Sequence, residues 1–193
     1  MMKTGKIGAT LVLMGSLLAT AAVPAVAARP TAARAAACPT GWGSAAESDA
    51  DTTTTPLRTV RTGRHACFDR MVVDLPGVAP GGLGYSVRYV DRLHQDGSGR
   101  HVPVAGGAVL EVRVAAPSYD PATGEPAYPA RAGRPLPGIG LTGYRTFRDA
   151  RFAGSFEGET QLGLGVRARL PFRVLQLKDH IVIDVAHTWT GGR

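Results

Sequence analysis

From Thr59 onward, apolar and polar residues alternate with a period of two. Met71, Val73 and Leu75 stand against Val72 and Asp74. Tyr85, Val87 and Tyr89 stand against Ser86 and Arg88, and Leu110, Val112 and Val114 against Glu111 and Arg113. Leu162, Leu164 and Val166 alternate with Gly163, Gly165 and Arg167, and Ile181, Ile183 and Val185 with Val182 and Asp184. A period of two places each set on one face of a half-buried strand. Weaker runs at Thr59–Arg61, His101–Val104, Arg151–Phe156 and Phe172–Leu177 bring the expectation to about nine strands. Lys178-Asp179, between Leu177 and His180, predicts a tight hairpin. No window sustains a 3.6-residue period with caps, and the best helical candidate is one short turn around Leu141–Arg148. The pattern therefore predicts an all-β fold: a two-sheet β-sandwich, or a partly closed barrel. Ala115–Gly140 breaks the rhythm with six prolines. It reads as a long surface loop, of the kind that is often functional or mobile.

Before Thr59 the pattern is of another kind. Lys3 and Lys6 precede an apolar run from Ile7 to Ala22, and Ala25-Val26-Ala27 follows. This is the order of a secretory signal peptide, so residues 1–27 are expected to be removed. The run is too short and wrongly flanked for a membrane span, which needs about 20 apolar residues. The mature form is thus expected to be secreted, with no membrane span. Residues 28–56 are rich in Ala, Thr and small polar residues and read as a flexible stalk ahead of a folded domain over 57–189. Cys38 and Cys67 are the two cysteines. In an exported chain an even count reads as a bridge, one that closes a loop of about 30 residues and contributes roughly 3–4 kcal/mol. Trp42 would pack beside it. The competing assignment for Cys38, a lipid-modified cysteine, is disfavoured because Arg29 and Arg34 separate it from the apolar run.

Charge narrows the partners. Loss of Lys3 and Lys6 leaves 20 basic residues against 15 acidic ones. Outside the membrane such a chain meets anionic wall polymers before nucleic acid. Its basic residues are scattered singly, unlike a nucleic-acid-binding arm. The absence of Asn, with 3 Lys against 19 Arg, suggests a high-GC genome and removes every N-glycosylation site.

Catalytic motifs are weak. Gly163-Leu164-Gly165-Val166-Arg167-Ala168 spells G-x-G-x-x-A, but the glycines fall inside an alternating strand. A phosphate cradle needs them in a turn between strand and helix. Close approach of another backbone, or a bulge, explains them better. His65, His94, His101, His180 and His187 form no H-E-x-x-H, and a zinc site would have to be assembled from distant residues. No serine lies in a G-x-S-x-G elbow and no cysteine is left as a nucleophile. Glu157, Glu159 and Asp184 would serve a hydrolase only if they faced one another across a cleft, at about 5–9 Å. Glu157 and Glu159 flank a hairpin tip instead. No catalytic, metal or cofactor residue is assigned.

The densest polar cluster runs from Arg61 to Arg70. One reading is structural, with Asp69 paired to an arginine and Gly63 in a turn. The other is a ligand patch of Arg64, His65, Asp69 and Arg70, since arginine suits bidentate recognition of carboxylates. Alternation is taken to turn the polar residues around Asp69 outward while Phe68 and Met71 compete for the core. The competing ligand site is the Pro/Gly loop, with Tyr119 and Tyr128 as sugar-stacking rings.

Residues 58–187 resemble the AMIN-like domains of secreted and lipid-anchored proteins of high-GC Gram-positive bacteria. The matching stretches are Val60–His65 with Phe68–Val73, Tyr85–Val90, Gly154–Gly158 and Phe172–Leu177. The resemblance implies a two-sheet sandwich and, by analogy, binding of the cell wall, with peptidoglycan or an envelope protein as partner and no cofactor. No catalytic residue carries over. The chain ends six residues after His187, so the zinc amidase domain that often accompanies AMIN modules is not expected.

Overall fold

A computed structural model describes residues 38–189. Among them there is no helix, and eleven strands are formed: β1 (Glu47–Asp49), β2 (Thr59–Arg64), β3 (Phe68–Asp74), β4 (Tyr85–Val90), β5 (Leu93–His94), β6 (His101–Val102), β7 (Ala108–Val114), β8 (Phe147–Phe156), β9 (Glu159–Val166), β10 (Phe172–Leu177) and β11 (His180–Ala186). A four-stranded sheet has the order β10-β11-β3-β2 and a five-stranded sheet the order β1-β4-β7-β9-β8. Every pairing is antiparallel. The all-β expectation holds, as a sandwich.

The alternating apolar sets meet between the sheets. Met71, Val73, Ile181, Ile183 and Val185 from one sheet share a core with Val87, Leu110, Val112, Leu162 and Leu164 from the other. Most of these are fully buried, at roughly 1.5–3 kcal/mol of transfer free energy per large side chain. The Glu157-Gly158 turn joins β8 to β9 with both residues at positive φ, 49° and 83°, the geometry that matches the twist of two antiparallel strands. Lys178-Asp179 makes the expected hairpin between β10 and β11.

The glycines of β9 have a concrete cause. The short β5–β6 hairpin lies on the outward face of the five-stranded sheet, where Leu93, Val102 and Ala153 form a second small core. A Cβ at Gly163 would lie 2.4 Å from Leu93 Cδ2, and one at Gly165 would lie 1.9 Å from the Ala105 carbonyl oxygen. Only glycine admits that approach.

Three expectations are modified. Residues 1–37, which hold the signal segment and the start of the stalk, lie outside the described residues. From Cys38 to Pro56 the stretch read as stalk runs along the sandwich. β1 pairs with β4, Phe172 donates its N–H to the Gly43 carbonyl, and Thr53 donates to Ala115. Glu-Ser-Asp has no apolar alternation, so this edge strand is held by backbone bonds that the pattern does not register. Leu141–Tyr144 is a tight turn rather than a helical one, and β8 begins directly after it at Phe147. The Pro/Gly segment is a loop as expected, but it is fastened. Leu136 donates to Ala150, Gly133 to Phe152, and Phe152 back to Arg134. It thereby covers the free edge of β8, one of the ways a sheet edge is protected from pairing with other chains.

Candidate functional site

The strand register decides what the Arg61–Arg70 segment can do. Arg64 is opposite Asp69 and Gly63 is opposite Arg70, and residues directly opposite share a face. Arg64 and Asp69 therefore lie on the inward-facing set, with Met71 and Val73, and Arg70 on the outward set with Phe68. The four residues read as one patch are divided between two faces. Asp69 is fully buried, contrary to its expected outward placement. It accepts from the backbone N–H of Thr146 (2.6 Å) and Phe147 (3.1 Å), and its other oxygen faces His187 Nε2 at 3.1 Å. It partners no arginine among the described residues. Its work is to hold the turn before β8 against the other sheet, since a buried carboxylate must be saturated with donors.

On the outward face of the four-stranded sheet, register lines up Arg173, Asp184, Arg70 and Gly63 across all four strands. Asp184 has no exposed surface. Arg70 grips it bidentately, with Nε and Nη2 at 2.6 and 2.8 Å. Arg173 reaches it with Nε and Nη2, both at 2.9 Å. The hydrogen bond to Asp184 raises the Arg70 pKa above the ordinary arginine value. Two guanidiniums share one carboxylate, so the row keeps one positive charge. Neither Nη1 group donates a hydrogen bond among the described residues.

Aromatic rings border this row. Phe68 packs against Trp42 at 5.6 Å between centroids, and His65 stacks on Phe68 at 4.5 Å. Arg70 lies over Phe68 at 5.2 Å and Arg173 over Trp42 at 4.4 Å. The Cys38–Cys67 disulfide, with 5.3 Å between Cα atoms, ties the Trp42 segment to the turn that presents His65 and Phe68. Of the expected patch, His65 and Arg70 fall in this cluster. Trp42, Phe68, Arg173 and Asp184 complete it, and sequence reasoning did not gather them. The alternation of β10 and β11 was the available signal, but it needs the register to place Asp184 beside Arg70.

The other candidates are not assembled. Tyr128 is buried against Phe152 at 6.2 Å, and its hydroxyl has no hydrogen-bond partner among the described residues. Burial pushes its pKa up to about 12. It is a core residue and not a sugar platform, because the loop folds down over β8. Tyr119 is half-buried, in a bridge with Pro126. Glu157 and Glu159 sit at the tip of the β8–β9 hairpin, while Asp184 lies on the other sheet with both oxygens taken by arginine. His94 and His101 face each other across β5–β6, and His180 lies beside Asp74. Among the described residues no group of three or more His, Cys, Asp and Glu could hold a metal ion.

The model of the AMIN-like domain family matches residues 55–187. The chain belongs to the AMIN-like domain family. No curated protein and no solved structure matches it. Membership points to a cell-wall-related binding module of a generally non-catalytic kind, typically extracellular or envelope-associated. The disulfide of this AMIN-like domain fits an oxidising compartment. No helix among its described residues is long and apolar enough to cross a membrane.

Proposed function

We propose that this AMIN-like domain is an exported, non-catalytic module that binds cell-wall polymer, in the first instance peptidoglycan. Contact is through the outward face of its four-stranded sheet. The observation that carries the reading is the cluster of Trp42, Phe68 and His65 beside two guanidiniums that share one carboxylate. Rings supply flat apolar surface for the faces of sugars. The remaining guanidinium donors and the surplus charge suit the carboxylates of peptide stems. Arg173 already covers one face of Trp42, so exposed His65 is the freer ring. Export rests on the signal segment at residues 1–27, and N-terminal sequencing of the secreted protein tests its removal.

Cosedimentation with purified peptidoglycan tests binding. Retention in the pellet without release of soluble muropeptides is the expected result. Muropeptide release would instead establish a hydrolase. One observation favours a second reading, an envelope protein as partner. β2 is an edge strand with no backbone partner on its outer side among the described residues, and such edges accept an added strand. That reading predicts capture of a specific envelope protein with no affinity for pure glycan.

A further inference from the structure

One end of the sandwich gathers the chain segments 64–68, 141–148 and 166–170. They carry five arginines, Arg64, Arg145, Arg148, Arg167 and Arg169, and no carboxylate; one exposed acid near them, Asp91, lines the same hollow as Arg169. All five are exposed. None forms a salt bridge among the described residues. Asp69, the acid beneath them, is fully buried, with its oxygens committed to Thr146, Phe147 and His187.

The segments are brought together by specific contacts. Asp69, five residues after Arg64, holds the backbone of Thr146, which follows Arg145. Arg167 donates its N–H to the Thr146 carbonyl, and its guanidinium bonds the His187 carbonyl. The Arg64 guanidinium lies against Gly143, where an added Cβ would come within 2.8 Å of Nη1. Arg148 folds back to donate to the carbonyls of Tyr144, Arg145 and Phe147, so its charge is held in place. Arg169 is steadied by Ser44 and by the ring of Tyr89, 5.0 Å away. The side chains of Arg64 and Arg145 make no hydrogen bond among the described residues.

Exposed arginines are ordinarily interspersed with carboxylates, and a large single-sign field needs a reason. Within the strands the other arginines obey that pattern: Arg61, Arg70, Arg88, Arg113, Arg151 and Arg173 each lie in a salt bridge. Arg58, Arg92, Arg100, Arg131 and Arg134, outside the strands, form none among the described residues either, so what marks the arginine end is the convergence of five arginines. We infer that the arginine end is a second binding surface, for a linear polyanion that carries phosphate. Guanidinium groups match phosphate bidentately. Their spread over three loops fits repeated charges along a chain better than one small anion held in a cup. This surface adjoins the ring-and-arginine face through the shared 64–68 segment, but it uses other arginines and does not rest on wall-polymer binding there.

The test is fluorescence-detected titration with linear inorganic polyphosphate over a series of salt concentrations. Counterion release sets the slope of log Kd against log salt, at about one unit per neutralised charge. Arg64→Gln with Arg145→Gln removes two charges that support no hydrogen bond of the fold. The double variant is expected to keep its melting temperature, weaken polyphosphate binding at least about tenfold at low salt, and reduce the slope by about two. Arg131→Gln with Arg134→Gln, two exposed arginines outside this end whose side chains make no salt bridge or hydrogen bond among the described residues, removes the same charge and is expected to leave polyphosphate affinity unchanged. An unchanged slope in the Arg64/Arg145 variant, or an equal loss in the Arg131/Arg134 variant, would overturn the assignment. Phosphatidylglycerol vesicles at matched phosphate concentration separate the sources. Tighter binding to vesicles than to polyphosphate would mean an anionic lipid surface instead, and would also overturn it.

Discussion

On the outward face of the five-stranded sheet, Glu111 is gripped by Arg88 at 2.8 Å and accepts from Gln161 Nε2 at 2.7 Å, while Arg113 bonds Asp96 at 2.6 Å. Gln161 also donates to the His94 carbonyl and accepts from the Asp96 N–H. On the outward face of the four-stranded sheet, Asp184 is gripped by Arg70 and Arg173. Both clusters set arginine against a carboxylate on a pleated surface. In the first, three acids, Glu159 included, face two arginines, and the polar atoms fasten the β5–β6 hairpin, whose apolar side fills the space over the β9 glycines. In the second, one carboxylate serves two guanidiniums, and the neighbours are rings. A polar cluster that closes its own bonds is architecture. One that keeps surplus charge and spare donors has something left to offer a ligand.

That comparison can be broken from either side. The largest effect is expected from Asp184→Asn, which leaves two facing guanidiniums without their buried counter-charge. It should cost about 3–5 kcal/mol in denaturant unfolding, and a loss below about 1 kcal/mol, the scale of an exposed pair, would show that the pair is effectively solvated. On the covered side, Gly165→Ala forces a Cβ into the Ala105 carbonyl. The expected cost is about 1–3 kcal/mol, with faster hydrogen exchange confined to residues 93–106. Wild-type exchange there would mean that the hairpin yields without strain.

The smallest stability effect concerns Tyr128, in the loop that seals β8. Tyr128→Phe removes a buried hydroxyl with no partner and should gain about 1 kcal/mol at neutral pH. The wild-type tyrosine has a folded pKa raised to about 12, against an unfolded value of about 10. Its contribution is therefore complete below about pH 10 and is lost as pH rises toward 12, by about 2–3 kcal/mol. Thermal melts between these pH values should fall less steeply for the phenylalanine variant. Parallel curves would show that the hydroxyl reaches water.

Most of the fold was legible because alternation is a local signal. Met71, Leu110, Leu162 and Ile183 declare their faces within a few residues, and Gly163 and Gly165 declare a close approach. β1 was not legible, since Glu47-Ser48-Asp49 carries no apolar period and is recruited by the edge of β4. Nor was Asp69. The sequence reading turned it outward although it shares the parity of Met71, and the donors that saturate it come from Thr146, Phe147 and His187, far along the chain. The candidate site was half legible. His65 and Arg70 lie in the dense segment, but Asp184 and Arg173 join them only through register, and Trp42 through the disulfide. The arginine end was hidden for the same reason: its charges are single in sequence and meet only where three turns converge.

The central claim is that the ring-and-arginine face binds wall polymer. Cosedimentation of Trp42→Ala with His65→Ala on purified peptidoglycan, beside wild type, tests it most directly. These rings lie outside the two hydrophobic cores, so the double variant should stay folded while its apparent Kd for peptidoglycan rises at least about tenfold, the worth of roughly 1.4 kcal/mol. Wild-type retention by a folded double variant would contradict the claim.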